Sequence, residues 1–146
     1  MIKFVYLSQE FYSDYSHCSE MMLKDDRPHA QVQVSINELL FCVPLRSNIN
    51  HPNAVWTDKA NKCGLDLSKA VLILNPEKYI DALRKPQIRQ EEFDYLRGKE
   101  VFIRNAMTKY ISKYKSAKAN QKIPRNQTLV KYSTLKYFER YIMGLS

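Results

Sequence analysis

Glycine is scarce: Gly64, Gly98 and Gly144 are the only three among 146 residues. Phosphate cradles of the GxGxxG or GxxxxGK[ST] type need clustered glycines at a strand–helix turn, so those nucleotide-binding loops are excluded. HExxH and GxSxG are also absent, which removes two common hydrolase signatures. Cysteine is limited to Cys18, Cys42 and Cys63. Their number is odd and their spacing wide, with no CxxC pair and no histidine at zinc-finger spacing. They read as reduced thiols, and neither a metal nor a cofactor is expected. No run approaches about 18 apolar residues, so no membrane span is expected. The opening stretch from Met1 to Glu10 lacks a long apolar signal core and turns acidic early, which makes the expected location cytoplasmic. The length and the 45% hydrophobic content suit one domain over residues 1–146.

What is abundant is positive charge, and it is unevenly spread. The net charge is +8. Residues 1–80 hold 8 Lys/Arg and 9 Asp/Glu, whereas residues 81–146 hold 15 and 6, a net of +9. Such a basic half attracts polyanions. Ten tyrosines are interleaved with the charge, and their rings can stack on unpaired bases. RNA or single strands are therefore expected ahead of duplex DNA. Anionic lipid is the weaker reading, because the apolar helix face is needed for the core.

Ile2–Leu7 reads as a strand, and Ser8 as the cap of a helix running to about Leu23. Lys24-Asp25-Asp26-Arg27-Pro28 reads as a charged turn. His29–Ile36 alternates, Leu39–Leu45 is nearly all apolar, and Asn37-Glu38 between them predicts a hairpin. Arg46–Gly64 shows no clear periodicity and reads as a polar irregular segment, a kind often tied to function. Ser68–Leu74 is a further strand, with a short helical turn around Glu77–Leu83. From Gln90 the period becomes helical, with Phe93, Leu96, Ile103, Met107, Tyr110, Ile111 and Tyr114 on one face and Gly98 a weak point within. Ala117–Thr128 reads as a polar loop. Leu135, Phe138, Tyr141 and Ile142 mark a last helix, capped near Ser133. Strands first and helices later predict an α+β fold, a mostly antiparallel, curved sheet with the long helices in the C-terminal half.

Cleaving RNA without a metal needs a base for the 2′-hydroxyl, a donor for the phosphoryl oxygens and an acid for the leaving 5′-oxygen. Pairing about Asn37-Glu38 places residue 29 near residue 46. His29, Arg46 and Ser47 are therefore expected together, with His51 four residues further on. Taken singly, each also has a plainer reading. A lone histidine is more often a surface residue, Ser47 and Asn48 suit a turn, and Arg46 suits an ion pair with Asp58.

The stretches VPLRSNINH (Val43–His51) and TDKANKCGLDLSKAVLIL (Thr57–Leu74) resemble the TenpN branch of the type III toxins, the ToxN/AbiQ-like endoribonucleases. The resemblance covers most of the chain. It takes in the opening IKFVYL, the RPH before the second strand, the Pro-Leu-x-Ser after the third, and Phe102-Ile103-Arg104. It implies a Kid/MazF-like compact, strongly bent antiparallel sheet with packed helices. It also implies metal-independent cleavage to 2′,3′-cyclic phosphate and 5′-hydroxyl ends, and processing of a repetitive antitoxin RNA that then inhibits the toxin, often in closed protein–RNA rings. Phage defence or plasmid maintenance would be the role. A lysine used by the family before the second strand falls on His29. Its Thr-Ser pair falls on Arg46-Ser47, keeping only the serine. A following lysine has no direct counterpart, leaving His51, Lys59 or Lys62 to substitute.

The expected catalytic set is thus His29, Arg46, Ser47 and His51. Arg27, Thr57, Lys59, Lys62, Arg97, Arg104, Lys109, Lys113 and Tyr114 are expected to bind RNA. Tyr110, Tyr132 and Tyr137 are further stacking candidates that equally suit a core. The alternative to an endoribonuclease is a non-catalytic RNA-binding regulatory module, which explains the charge and the tyrosines equally well.

Overall fold

The computed structural model describes residues 1–22 and 28–145. The charged turn expected at residues 24–27, with Arg27, lies outside the described residues. The first strand, β1 (Phe4–Leu7), leads into α1 (Gln9–Asp14). Ser8 caps that helix by accepting the Phe11 N–H, and its hydroxyl donates to Lys78 O at 2.6 Å. Helix α1 ends at Asp14, well short of Leu23, because Ser13-Asp14-Tyr15-Ser16-His17 is a run of weak helix formers.

Strands β2 (Gln31–Ile36) and β3 (Leu39–Arg46) form the expected hairpin, paired from Ile36↔Leu39 to Gln31↔Pro44. Both turn residues, Asn37 and Glu38, adopt positive φ (48° and 68°), the geometry of a two-residue type I′ turn. Val32, Val34 and Ile36 face the core with Phe41, Val43 and Leu45 opposite. The segment read as irregular contains β4 (Ala54–Asp58), a 3-10 turn (Lys59–Asn61) and the start of β5 (Cys63–Asp66). Its pattern was obscured by a bulge between Trp56 and Asp58. At Gly64 a Cβ would lie 2.3 Å from Val55 O, so the two strands meet there only because glycine has no side chain.

The strand expected at Ser68–Leu74 shrinks to β6 (Val71–Leu72), because Leu67–Lys69 forms a 3-10 turn capped by Asp66. Helix α2 (Pro76–Tyr79), capped by Asn75, and β7 (Ile80–Asp81) follow. The seven strands form one antiparallel sheet in the order β4-β5-β3-β2-β1-β7, with β6 also beside β3. One edge of β3 is thus shared, by β6 at Phe41–Cys42 and by β5 at Leu45–Arg46. Pro44 sits at the handover. From the hairpin register its missing N–H would point to this edge, between the two partners, where no ladder bond is lost.

The single long helix expected from Gln90 is two, α3 (Gln90–Leu96) and α4 (Glu100–Ala119). Gly98, with φ of 79°, breaks it. Ile103, Met107, Tyr110, Ile111, Tyr114 and Ala117 are the buried face of α4, whereas Phe93 on α3 is exposed. The polar loop expected at Ala117–Thr128 shrinks to a turn at residues 120–123, between the end of α4 and the start of α5 (Pro124–Tyr132). Pro124 occupies the first turn of α5, where its missing N–H has no intrahelical partner to lose. A 3-10 turn (Thr134–Phe138), capped by Ser133, and α6 (Glu139–Ile142) complete the fold. Among the described residues no helix is long and apolar enough to cross a membrane.

Candidate functional site

Hairpin arithmetic places His29 opposite Arg46, and the backbone ladder continues that far, with Leu45 N–H donating to Ala30 O at 2.8 Å. His29 Nδ1 lies 3.1 Å from Leu45 O. A carbonyl only accepts, so Nδ1 carries a proton. His29, Arg46 and Ser47 line one pocket of about 310 Å³ together with Gln87, Arg89 and Glu92. Arg89 donates to Glu92 Oε1 at 3.1 Å, a bond that holds its guanidinium firmly protonated. The pocket therefore brings the His29 imidazole, two cations and the exposed Ser47 hydroxyl around one space.

Behind Arg46 stands a residue that sequence reasoning passed over. Asp66, at the end of β5, has no accessible surface, and its Oδ2 accepts from Arg46 Nη1 at 2.8 Å. Its Oδ1 accepts from the Ser68 hydroxyl at 2.6 Å and the Ser68 N–H at 3.0 Å, and lies 3.0 Å from His51 Nε2. Burial alone would raise the Asp66 pKa. The hydrogen bonds from His51, Ser68 and Arg46 together outweigh it and hold the carboxyl below its ordinary value. The visible sign in sequence was one acid inside the apolar run Cys63-Gly64-Leu65-Asp66-Leu67, where an unpaired carboxylate is too costly to bury. Asp58, which the sequence suits to an ion pair with Arg46, instead caps the turn after β4 by accepting from Asn61.

His51 is not in the His29 pocket. It lies on the other side of Asp66 and lines a second cleft. Its Nδ1 accepts the Asn53 N–H at 3.1 Å, so Nε2 carries the proton and points at Asp66 Oδ1 and Ser68 Oγ. Both ring nitrogens are thus engaged within the protein. The trio Asp66, His51 and Ser68 is also no relay of the serine-hydrolase kind, because acid and hydroxyl meet the same ring nitrogen. What the arrangement does is position: it fixes the loop after β3 to the carboxylate that holds Arg46.

Among the residues expected to bind RNA, Lys59, Lys62, Arg97, Arg104, Lys109 and Lys113 are exposed. Lys62 is tied to Asn50 Oδ1 at 2.8 Å, and Lys113 to Asn53 Oδ1 at 2.7 Å. Two expectations are corrected. Tyr114 is wholly buried and donates to Glu139 Oε2, so its ring packs in the core, as does that of Tyr110. The Thr57 hydroxyl is shielded from solvent within the β4 bulge and has no partner there. Tyr132 is half exposed and Tyr137 partly so. Among the described residues no group of three or more His, Cys, Asp or Glu is placed to hold a metal ion. Compared with known proteins, the chain matches no family model, no curated protein and no solved structure.

Proposed function

We propose that this chain is a metal-independent endoribonuclease toxin of a type III toxin–antitoxin system, of the TenpN branch, on a Kid/MazF-like bent sheet. The observation that carries the reading is the single pocket shared by His29, Arg46 and Ser47, with Arg46 held from behind by buried Asp66. His29 Nε2 takes the proton of a 2′-hydroxyl. The freed 2′-oxygen attacks the adjacent phosphorus, forming the cyclic 2′,3′ ester as the bond to the 5′-oxygen breaks. Arg46, Arg89 and Ser47 stabilise the charge on the phosphoryl oxygens. Water reaching the open side at Ser47 protonates the leaving oxygen.

In this reading His51 is a positioning residue, acting through Asp66 on Arg46. The exposed Lys59, Lys62, Arg97, Arg104, Lys109 and Lys113 attract the phosphate backbone of substrate and antitoxin RNA. The antitoxin partner is a small repeated RNA in a closed protein–RNA assembly, and the role is phage defence or plasmid maintenance.

The test is incubation with total RNA in excess EDTA, followed by mapping of the ends. Discrete cuts with 2′,3′-cyclic termini are expected, and His29→Ala should abolish them while antitoxin RNA still binds. Intact RNA that is nevertheless bound would mark the chain as a non-catalytic RNA-binding module.

A further inference from the structure

The cleft that His51 lines belongs to no step of the cleavage chemistry. It measures about 650 Å³ and lies between α4, α5 and the loop Asn50–Asn53. Pockets of this size commonly accommodate one small, largely apolar ligand held by a few convergent polar groups. Its apolar wall comes from Pro52, Leu129 and Tyr132. Tyr132 is 50% exposed, so part of its ring is open to a ligand, and Lys131 Nζ sits 5.2 Å from its centroid. The side chains of Tyr110 and Ser133 at the cleft are bonded to one another at 2.7 Å.

Two amides at the cleft have spare capacity. Asn53 Oδ1 accepts from Lys113, but Asn53 Nδ2 makes no hydrogen bond within the described residues. Asn126 Nδ2 donates to Asn120 O, and its Oδ1 likewise makes none. The cleft therefore presents one amide donor and one amide acceptor beside an exposed ring. Lys113 and Arg125 also line it, and no Asp or Glu does. A flat ring edge that both donates and accepts, joined to an anion, is the chemistry of a nucleotide.

Resting on the reading of this chain as an RNA cutter, we propose that this cleft is a nucleobase subsite. One unstacked base of the substrate lies against Tyr132, its edge is read by Asn53 and Asn126, and its phosphate is held by Lys113 and Arg125. The subsite is joined to the cleavage pocket by two bonds, His51 to Asp66 and Asp66 to Arg46. It therefore selects which phosphodiester is cut, through the identity of a base near the scissile bond.

Two measurements test this separately from the nucleolytic reading. In the first, the isotope-labelled protein is titrated with adenosine, guanosine, cytidine and uridine 5′-monophosphates, with inorganic phosphate as the control. Amide shifts at Asn53, Asn126, Leu129 and Tyr132 with one or two of the nucleotides and not with phosphate are expected. Shifts with phosphate alone, or none at the cleft, overturn the subsite. In the second, cleavage of a randomised oligoribonucleotide pool is sequenced. Tyr132→Ala should lower RNA affinity by about 5- to 150-fold, the equivalent of about 1–3 kcal/mol of base stacking, and flatten the preference at one position. Tyr132→Phe should keep both. An unchanged preference in Tyr132→Ala overturns the subsite and leaves the nuclease standing. Nucleotide-specific shifts at the cleft in a protein that cuts no RNA uphold the subsite and remove the nuclease.

Discussion

Arg46 and Asp66 meet across the β3–β5 edge at 2.8 Å, the guanidinium side chain 26% exposed and the carboxylate 0%. The same carboxylate also holds Ser68 and His51, so one buried charge organises the end of β3, the end of β5 and the loop between β3 and β4. Substrate would see only the outer side of this arrangement, the free N–H groups of Arg46.

Asp66→Asn is the direct probe of that relationship. An amide carries no charge to match Arg46 and presents a donor where one of its present partners also donates. Stability should fall by about 3 kcal/mol, as for removal of one partner of a buried pair. Cleavage should fall at least tenfold. Urea denaturation and a cleavage assay check both, and wild-type values would mean that Arg46 is held by something else.

The same carboxylate gives a pH dependence with a defined sign. Its folded pKa lies below the ordinary 3.8. Its contribution to stability is therefore present above that value and disappears as the pH falls through the lower folded pKa. The acid limb of a stability–pH curve should be shallower in Asp66→Asn than in the wild type. Parallel limbs would contradict the assignment.

Gly64→Ala tests the close approach of β4 and β5. The added methyl would lie 2.3 Å from Val55 O, so the strands must part. A loss of about 2–3 kcal/mol is expected from overpacking. Because Asp66 and Arg46 ride on the same strand edge, cleavage should decline with it. Thermal melting of this variant close to that of the parent would show that the bulge absorbs the methyl.

Glu38→Gly should have the opposite effect on stability. Glu38 pays for a φ of 68° that glycine adopts freely. After the greater entropy of unfolded glycine is subtracted, a net gain of about 0.5 kcal/mol remains. Calorimetry should record a melting temperature raised by about 1–2 °C; a lowered one would speak against the type I′ turn.

Cys42 gives a chemical readout of folding. Burial pushes its thiol up to about 12, and burial also raises Cys18. Thiolate, the reactive form, is then rare near neutral pH. Iodoacetamide should leave Cys42 unmodified in the native protein and label it fully in denaturant, as read by intact mass.

The hairpin was legible because its register is arithmetic: once Asn37-Glu38 is the turn, residue 29 must approach residue 46. The caps at Ser8 and Ser133 were legible for a similar local reason. The break at Gly98 was not, because apolar residues continue in near-helical step on both sides and periodicity alone does not register a reversal of φ. Tyr114 and Tyr132 look alike in sequence, each flanked by lysine. Only the packing of α4 against the sheet and of α5 at its rim distinguishes the core ring from the exposed one. Asp66 was missed because an acid draws notice when acids cluster or sit on a surface, and this one stands alone inside an apolar run.

Pro44 carries one more consequence, for motion. At that proline β3 passes from one neighbour to the other; Asp66 ends one of them, β5, and Ser68 lies in the link from it to β6. The carboxylate behind Arg46 is therefore anchored at the buried end of a paired strand, not in a peripheral loop. Amide hydrogens at Leu65 and Arg46 should exchange with solvent only when the whole molecule opens. The lysine-bearing turns at Lys59 and Lys62 should exchange through small local fluctuations. The part of the protein that positions the guanidinium would then be its slowest-breathing part, and the part that first meets a polyanion among its fastest.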